Sequence, residues 1–179
     1  MDQTVVLIKP DGVKRGLIGE ILSRFERVVL KISAIKMVLM DKDLAGKHYR
    51  DDVGWYKNVG EKMLTFYKDN GMDSGENLGT KDPIKLGKLV RKWTFDYMTS
   101  GPVVAILLTG PHAVEIVRKL TGTTYPLTSP AGTIRGDFAH VSYKYADERG
   151  IGIFNLIHAS ATPEEAETEI SVWFKPEEL

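Results

Sequence analysis

The sequence predicts an α+β fold, an antiparallel sheet in the ferredoxin-like β-α-β-β-α-β order with helices on one face. Three observations favour it. First, apolar strand patterns alternate with amphipathic helical patterns along the chain. Second, extra helical and loop residues form a polar excursion within this order. Third, the sequence contains no internal repeat and no heptad seam. A doubly wound parallel sheet is the competing interpretation of the same order.

The first part of the chain alternates strand and helix patterns. Residues 4–8, TVVLI, are apolar and mostly β-branched, which is typical of a strand buried on both faces. KPDG at 9–12 predicts a turn, because proline restricts φ and glycine accepts positive φ. Apolar residues at helical spacing predict a helix from Leu17 to about Leu30, and residues 32–40 return to a strand pattern.

The middle of the chain contains the polar excursion. A capped helix is predicted from Asp41 to about Arg50. Residues 69–83 are polar and rich in glycine, so we expect an exposed excursion between helical segments and not a domain linker. A helix over about 84–99 and a buried strand over 102–109 follow.

Helix-end signals organise the last third. Gly110 as N-cap, Pro111 at the first helical position and Gly122 as the stop predict a helix. A long loop rich in Gly, Pro, Ser and Thr then covers 122–137. Residues 151–157, IGIFNLI, predict a last strand that leads into the next residue, a histidine.

The C-terminal helix has its own start signal. Thr162, Pro163, Glu164 and Glu165 form a capping-box pattern with proline in the first turn. The predicted helix extends to about Trp173.

Composition indicates one globular domain and narrows its partners. The 179 residues include 24 Lys+Arg and 24 Asp+Glu, and this balance does not favour nucleic acid or an anionic membrane as a partner. Cysteine is absent, so disulfides and thiolate metal sites are excluded. The N-terminal segment lacks a signal-peptide pattern and no apolar run approaches the ~20 residues of a membrane span, so we expect a cytoplasmic protein.

Known phosphate-binding motifs are absent. No P-loop sequence occurs, and Gly150 and Gly152 lack the third glycine and the strand-to-helix setting of a dinucleotide fingerprint. The long loop is a candidate for a different phosphate-binding site, because Arg118 and Arg135 can converge there on phosphate oxygens, with threonine hydroxyls beside them. The alternative is that the charge of Arg118 only stabilises the C-terminal end of its helix.

Four histidines are present, none with metal-ligand spacing: His48, His112, His140 and His158. We interpret His48 as part of a polar helical face and the next two as surface residues. His158 differs, because it follows an apolar strand pattern and precedes a capped helix start. A neutral imidazole there can attack phosphorus if Glu165 or Glu169 fixes its tautomer. The alternative is a satisfied histidine at a strand end.

Two polar residues are candidates to lie near His158. Lys9 ends the first strand, and an antiparallel sheet can bring it beside the last one. Asn155 is the polar side chain within IFNLI, and a buried asparagine needs partners. Either residue can also be simply solvated or bonded to backbone.

Five stretches carry a family resemblance: IKPDGVKRGLIGEILSRFE at 8–26, SGPVVAILLTG at 100–110, PAGTIRGDF at 130–138, NLIHAS at 155–160 and AETEISVWFKPEEL at 166–179. In this order they resemble the nucleoside diphosphate kinase family. The combined Lys-Pro-Asp-Gly turn, Gly-Thr-Ile-Arg-Gly loop and Asn-x-x-His motif is highly specific. The resemblance implies a single ferredoxin-like domain over 1–179, with insertions at about 53–92 and 143–152.

The resemblance also implies an activity. The terminal phosphoryl group of a nucleoside triphosphate, mainly ATP, moves to a nucleoside diphosphate by a ping-pong mechanism through a phosphohistidine on His158. Glu169 matches the carboxylate that orients this histidine, Ser160 a hydroxyl beside it, and Tyr49 a tyrosine near the nucleophile.

The nucleotide site follows from the same resemblance. Lys9 and Asn155 match residues that bind the sugar hydroxyl and the bridging phosphate region. Arg118, Thr124 and Arg135 match the phosphate ligands.

A metal and further subunits are implied as well. Mg²⁺ is the implied cofactor, carried mostly by the nucleotide phosphates, with Asp51 at a position that contacts it through water. Family members are usually hexamers, sometimes tetramers, so we expect a homo-oligomer.

The chain departs from the family pattern at several places. The segment from about 53 to 92 carries extra residues in the helical pair that usually covers the base, which leaves Leu89, Val90 and Trp93 as guesses for the base platform. Ala161 replaces a usually acidic residue, and the sequence ends at PEEL without an extended tail.

Two alternative functions remain. A ferredoxin-like nucleic-acid-binding module is disfavoured because the charge is balanced and no RNP1-type aromatic stretch occurs. The other is a family member that binds nucleotide without catalysis, which the full set of matching catalytic positions disfavours.

Overall fold

The computed structural model describes residues 2–49 and 51–179. A four-stranded sheet lies at its centre, in the order β2-β3-β1-β4. Its strands are β1 (Asp2–Ile8), β2 (Lys31–Leu39), β3 (Pro102–Gly110) and β4 (Ile157–Ala159). Neighbouring strands are antiparallel throughout, which confirms the ferredoxin-like prediction and rules out the doubly wound parallel sheet.

Ten α-helices are found in the described residues. They are α1 (Pro10–Lys14), α2 (Ile18–Glu26), α3 (Lys42–His48), α4 (Val53–Asp69), α5 (Ser74–Leu78), α6 (Pro83–Met98), α7 (Ala113–Thr121), α8 (Ile134–Phe138), α9 (Tyr143–Asp147) and α10 (Pro163–Trp173).

Helices cover both faces of the sheet, so the expectation of helices on one face was wrong. On one face Val6 and Ile8 of β1 pack with α2 and α7, for example against Phe25 and Val117. On the other face the alternate β1 residues pack with α3, α10 and the end of α6, for example Leu7 near Trp173. Because side chains alternate along a strand, a strand covered on both sides must be apolar throughout.

Two helix-start predictions need correction. Helix α7 begins at Ala113 with His112 as N-cap at φ 54°, and Gly110 is the last residue of β3. The strand continues to Gly110 because it pairs there with Asp2. The 9–12 segment is more than a turn, since α1 starts at Pro10.

The last strand is also displaced from its prediction. Of the predicted 151–157 segment only Ile157 lies in β4, and the strand extends to Ala159. His158 is therefore the middle residue of β4, paired with Leu7 of β1. The segment 151–156 is a loop, in which Leu156 is fully buried without strand pairing and Phe154 is exposed.

Helices α4 and α6 form a closely packed pair. A Cβ on Gly60 of α4 would lie 1.9 Å from the Pro83 carbonyl oxygen, and one on Gly87 of α6 would lie 2.1 Å from that of Tyr56. These glycines let the two backbones touch. The pair has its own apolar core, which includes Met63 and Trp93. The predicted excursion at 69–83 contains α5, which begins at an Asp73 cap.

Candidate active site

A tight turn leads into the strand that carries His158. Leu156 has φ 68°, and the Ile157 N–H donates to the Asn155 carbonyl over 2.8 Å. A non-glycine residue in this region is strained, and such residues concentrate at functional sites. The surroundings hold it in place, since the Leu156 carbonyl accepts from the Lys9 N–H at 2.8 Å. The bend sends Asn155 and His158 into the same cavity.

Glu169 holds one edge of the His158 ring. Its Oε1 lies 2.7 Å from His158 Nε2, and its Oε2 accepts a 2.6 Å hydrogen bond from Ser160 Oγ. Ser160 Oγ also accepts from the Val5 N–H, which ties the group to β1. Glu169 reaches this position because Thr162 caps α10 by accepting from the Glu165 N–H. Of the two candidate carboxylates, Glu169 is therefore the one that lies against the ring of His158.

Glu165 has a different partner. Its side chain accepts a 2.7 Å hydrogen bond from the Ala161 N–H. The carboxylate of the predicted capping box therefore bonds to the residue before Thr162. Both Ala161 and Glu165 line the cavity.

His48 belongs to the site, although the sequence suggested a polar helical face for it. Its ring lies edge-on to that of His158, with centroids 4.6 Å apart, and its side chain is 1% exposed. Nδ1 accepts a 3.2 Å hydrogen bond from Trp173 Nε1 and lies 3.5 Å from Glu169 Oε1. The helical pattern of 41–50 has apolar Leu44 and Ala45 on the buried side, and His48 lies at i+4 and i+3 from them, which is the signal that could have found it.

Burial and charge keep both rings neutral. Burial lowers the pKa of His158 below its ordinary 6.5, and the Lys9, Arg135 and Arg118 charges lower it further against the opposing Glu165. Burial and the His158 ring likewise lower the pKa of His48 to about 3. A neutral His48 accepts from Trp173 and forms no ion pair with Glu169. A neutral His158 donates through Nε2 to Glu169, and its Nδ1 keeps a lone pair.

Lys9 lies beside Asn155, as the antiparallel sheet suggested. Its Nζ donates a 2.7 Å hydrogen bond to Asn155 Oδ1, and the Asn155 amide donates to the Thr124 carbonyl over 2.9 Å. Burial, followed by the Arg135 charge, lowers the pKa of Lys9 to about 7. Both side chains are buried and both line the cavity. Neither is simply solvated.

Arg135 organises the backbone around the site. Its Nε donates to the Asn155 carbonyl, its Nη1 to those of Gly122 and Thr123, and its Nη2 to that of Ile157, over 2.7–3.2 Å. Burial and the Arg118 charge lower its pKa to about 10. Arg135 thus joins the long loop to β4 and places a buried positive charge at the cavity wall.

Arg118 and Thr124 stand at the same wall with exposed side chains. Among the described residues, Arg118 Nη1 donates to the Ala159 carbonyl over 3.5 Å. The two arginines therefore converge on one cavity wall, Arg135 buried and hydrogen-bonded to backbone, and Arg118 exposed. The long loop between them contains a 3₁₀ turn (Pro126–Thr128) and is closed by α8, which Thr133 caps.

One cavity of about 400 Å³ is lined by Lys9, Arg118, Thr124, Arg135, Asn155 and His158, whereas His48, Ser160 and Glu169 do not line it. Tyr49 lines it and packs its ring 4.6 Å from that of His48. Val90 and Trp93 of α6 line it too, whereas Leu89 packs in the core of the α4–α6 pair. Asp51 does not line it. Its carboxylate accepts from the Tyr56 hydroxyl and lies 3.5 Å from Arg91 Nη2.

Within the described ranges 2–49 and 51–179, none of the helices combines the length and apolar character that crossing a bilayer requires.

Comparison with known proteins gives a consistent result. The model of the family described as nucleoside diphosphate kinase matches residues 2–69 and 87–179, leaving out 70–86, the stretch around α5. A nucleoside diphosphate kinase of Pyrobaculum aerophilum is 46% identical over 179 residues, which is 100% of this chain and 98% of that protein. One of Borreliella burgdorferi is 37% identical over 179 residues, 100% of this chain and 90% of that protein.

Solved structures agree with the sequence comparisons. The crystal structure of an NDP kinase from Pyrobaculum aerophilum superposes with a TM-score of 0.94 at 45% identity, covering 99% of this chain and 97% of that one. A transition-state mimic of the Borrelia burgdorferi enzyme, with bound vanadate and ADP, gives 0.77 at 38% identity and covers 99% and 89%. This chain therefore belongs to the nucleoside diphosphate kinase family and transfers the terminal phosphoryl group of a nucleoside triphosphate to a nucleoside diphosphate.

Proposed function

We propose that the transferred phosphoryl group is carried on Nδ1 of His158. One observation supports this above the others: Glu169 occupies Nε2, while Nδ1 has no hydrogen-bond partner within 2–49 and 51–179 and the ring lines the cavity. The lone pair that a nucleophile needs is then on the nitrogen that remains available.

In the first half-reaction the Nδ1 lone pair forms a bond to the terminal phosphorus of the triphosphate. The bond from that phosphorus to the bridging oxygen breaks, and its electron pair leaves with the diphosphate. The imidazole becomes cationic, and the Glu169 carboxylate, 2.7 Å from Nε2, balances that charge. Ser160 holds the other carboxylate oxygen, so Glu169 does not need to reorient during transfer.

The second half-reaction reverses these steps with another diphosphate. Its terminal oxygen attacks the phosphorus, the P–N bond breaks, and His158 regains its lone pair. Since one cavity serves both nucleotides in turn, the expected kinetics are ping-pong.

The phosphate-binding groups stand around His158. Lys9 and Arg135 are buried cations that neutralise phosphate charge, and the exposed Arg118 and Thr124 can close on it from solvent. Asn155 positions the Lys9 ammonium and, with it, meets the sugar hydroxyl and the bridging phosphate region. Tyr49 forms an aromatic wall beside the two histidines.

Mg²⁺ is the proposed cofactor. The carboxylates lining the cavity among the described residues are those of Asp147 and Glu165, too few for an all-protein magnesium cage. This donor set fits an ion held mainly by nucleotide phosphates and water, with Asp51 as a candidate for contact through water. When bound, the ion neutralises phosphate charge.

A homo-oligomer, hexameric or tetrameric, and a cytoplasmic location complete the proposal. The edge strand β2 supports assembly, because it presents Ile35, Met37 and Leu39 to solvent at 48%, 58% and 76% exposure. An exposed apolar edge strand tends to pair with another chain.

The mechanism is tested by labelling. The protein is incubated with γ-³²P-ATP and Mg²⁺, and the expected product carries an acid-labile, alkali-stable label that moves to added GDP. His158→Ala should not label. His140→Ala is the matched control, since His140 is exposed and does not line the cavity. Labelling of His158→Ala would refute the assignment, and absence of label in the unmodified chain would favour nucleotide binding without transfer.

A further inference from the structure

Lys9 is a buried lysine without an ion-pair partner among the described residues. It is 9% exposed, and its Nζ donates a 2.7 Å hydrogen bond to the neutral side chain of Asn155. Within 2–49 and 51–179, no carboxylate lies within salt-bridge distance of Nζ. Lysine is almost never buried unless it is paired with an opposite charge. A lysine that is buried unpaired loses its proton readily and becomes a nucleophile.

The surroundings of Lys9 favour the neutral amine. The titratable groups around it come from five elements of the fold, namely Asp11 of α1, His48 of α3, Tyr97 of α6, Arg135 of α8 and His158 of β4. The Asp11 carboxylate favours the charged form, but it also accepts hydrogen bonds from the Tyr97 hydroxyl and the Leu156 N–H. Burial and the Arg135 charge outweigh Asp11 and lower the pKa of Lys9 to about 7.

This amine lines the same cavity as the phosphate-binding groups. Arg118, Thr124 and Arg135 supply guanidinium and hydroxyl donors there, and such donors bind phosphate oxygens. A nucleophile beside a phosphate site is placed to attack a small molecule whose phosphate group is attached to an electrophilic carbon. Acyl phosphates, the mixed anhydrides of a carboxylic acid and phosphoric acid, are that class of molecule.

We propose that Lys9 is a site of acylation by acyl phosphates. This acylation rests on the proposed function, because it requires that the groups beside Lys9 bind phosphate. The Nζ lone pair forms a bond to the acyl carbon. The bond from that carbon to the bridging oxygen breaks, and its electron pair leaves with inorganic phosphate. The departing phosphate takes up the proton that the nitrogen loses.

Acylation of Lys9 inactivates the protein. The product is an amide, which has no positive charge to neutralise nucleotide phosphates, and the added acyl group occupies space beside Asn155. Bound nucleotide protects Lys9, because its phosphates fill the anion site and favour the charged ammonium. The acyl phosphate therefore inactivates the free protein and spares the nucleotide-bound one.

A competing reaction begins from the same bound reagent. An acyl phosphate has a second electrophilic centre at phosphorus, and His158 lines the same cavity. Attack by His158 on phosphorus would leave phosphate on the protein and release the carboxylic acid. Attack by Lys9 on carbon leaves the acyl group on the protein and releases phosphate. The two outcomes are distinguished by the part of the reagent that remains bound.

The test uses acetyl phosphate labelled with ¹⁴C in the acetyl group or with ³²P in the phosphate, and peptide mass spectrometry locates the adduct. At pH 7.5 Lys9 should be acetylated about tenfold faster than exposed lysines such as Lys57 and Lys92, because much more of it is neutral. The rate at Lys9 should level off above about pH 8, whereas a lysine of ordinary pKa reacts faster up to about pH 10. ADP should protect Lys9 and not the exposed lysines.

Variants and a second reagent separate the steps. Arg118→Gln should slow acetylation of Lys9 by acetyl phosphate and not by N-acetylimidazole, an uncharged reagent with the same acyl group. His158→Ala should still be acetylated at Lys9, so this result is independent of whether His158 carries phosphate. Acetylation of Lys9 no faster than that of exposed lysines would overturn the proposal. So would ³²P on the protein without an acetyl group on Lys9.

Discussion

The carboxylate of Glu169 joins Nε2 of His158, at 2.7 Å, to the Ser160 hydroxyl, at 2.6 Å, in a chain of hydrogen bonds that ends at β1. The histidine is therefore held at one nitrogen by a charged partner that is itself fixed. This arrangement aims the other nitrogen at the cavity and accounts for its orientation without a ligand.

Glu169→Gln should slow phosphorylation of His158 by about 10²-fold, because the neutral amide cannot balance the cationic phosphoimidazole. The measurement is the single-turnover rate with ATP. Ser160→Ala keeps the carboxylate and should show a smaller decrease. A Glu169→Gln rate equal to that of the unmodified chain would mean that the carboxylate is only structural.

The rings of His48 and His158 should both stay neutral as the pH falls from about 8 to about 5, since their pKa values in the fold lie below the ordinary 6.5. ¹⁵N-detected imidazole spectra report the charge and the tautomer directly. Because the unfolded chain binds more protons below about pH 6.5, these histidines should also make the fold less stable as the pH decreases. A ring that titrates near 6.5 would contradict this.

The kcat/KM for nucleotide should decrease as the pH rises through about 7, because Lys9 in the free enzyme loses its proton there. Bound phosphates favour the charged form, so the alkaline decrease of kcat should lie at a higher pH. The pH dependence of kcat/KM is measured at limiting nucleotide and that of kcat at saturating nucleotide. If both quantities decreased at the same pH, Lys9 would not be the group whose deprotonation causes the decrease.

Gly87→Ala should destabilise the fold by about 1–3 kcal/mol, because its Cβ would overlap the Tyr56 carbonyl where α4 and α6 touch. Gly46→Ala in α3 is the matched control: nothing lies within 4 Å of its added Cβ, and alanine should stabilise that helix by about 0.5–1 kcal/mol. Chemical denaturation gives both values. Equal changes in the two variants would contradict a backbone contact at Gly87.

Met37→Lys should weaken assembly, because it places a charge in the exposed apolar row of β2. Light scattering coupled to gel filtration measures the mass. Lys36→Met is the control. It changes a neighbouring residue of the same strand that is not part of the apolar row, since Lys36 Nζ lies 2.7 Å from Glu178 Oε2. An unchanged mass in Met37→Lys would place the subunit contact elsewhere.

Local patterns determined much of this protein. Apolar patterns predicted β1, β2, β3, α2 and α6, because strands covered on both faces and helices covered on one leave different repeats in the chain. The longest helix, α4, was not predicted. The Asn-x-x-His motif and the Gly-Thr-Ile-Arg-Gly loop pointed to His158, Asn155 and Arg135 through the family resemblance. These motifs are local, since each spans only a few neighbouring residues.

The tertiary structure decided what depends on distant partners. The apolar run at 151–157 resembled a strand, yet only its last residue pairs, because β1 offers pairing from Ile8 back to Val6 and Leu156 turns the chain just before it. His48 appeared to be part of a polar helical face in the sequence. Its place beside His158 arises from the packing of α3 against α10, a contact between residues far apart in the chain, which local patterns do not encode.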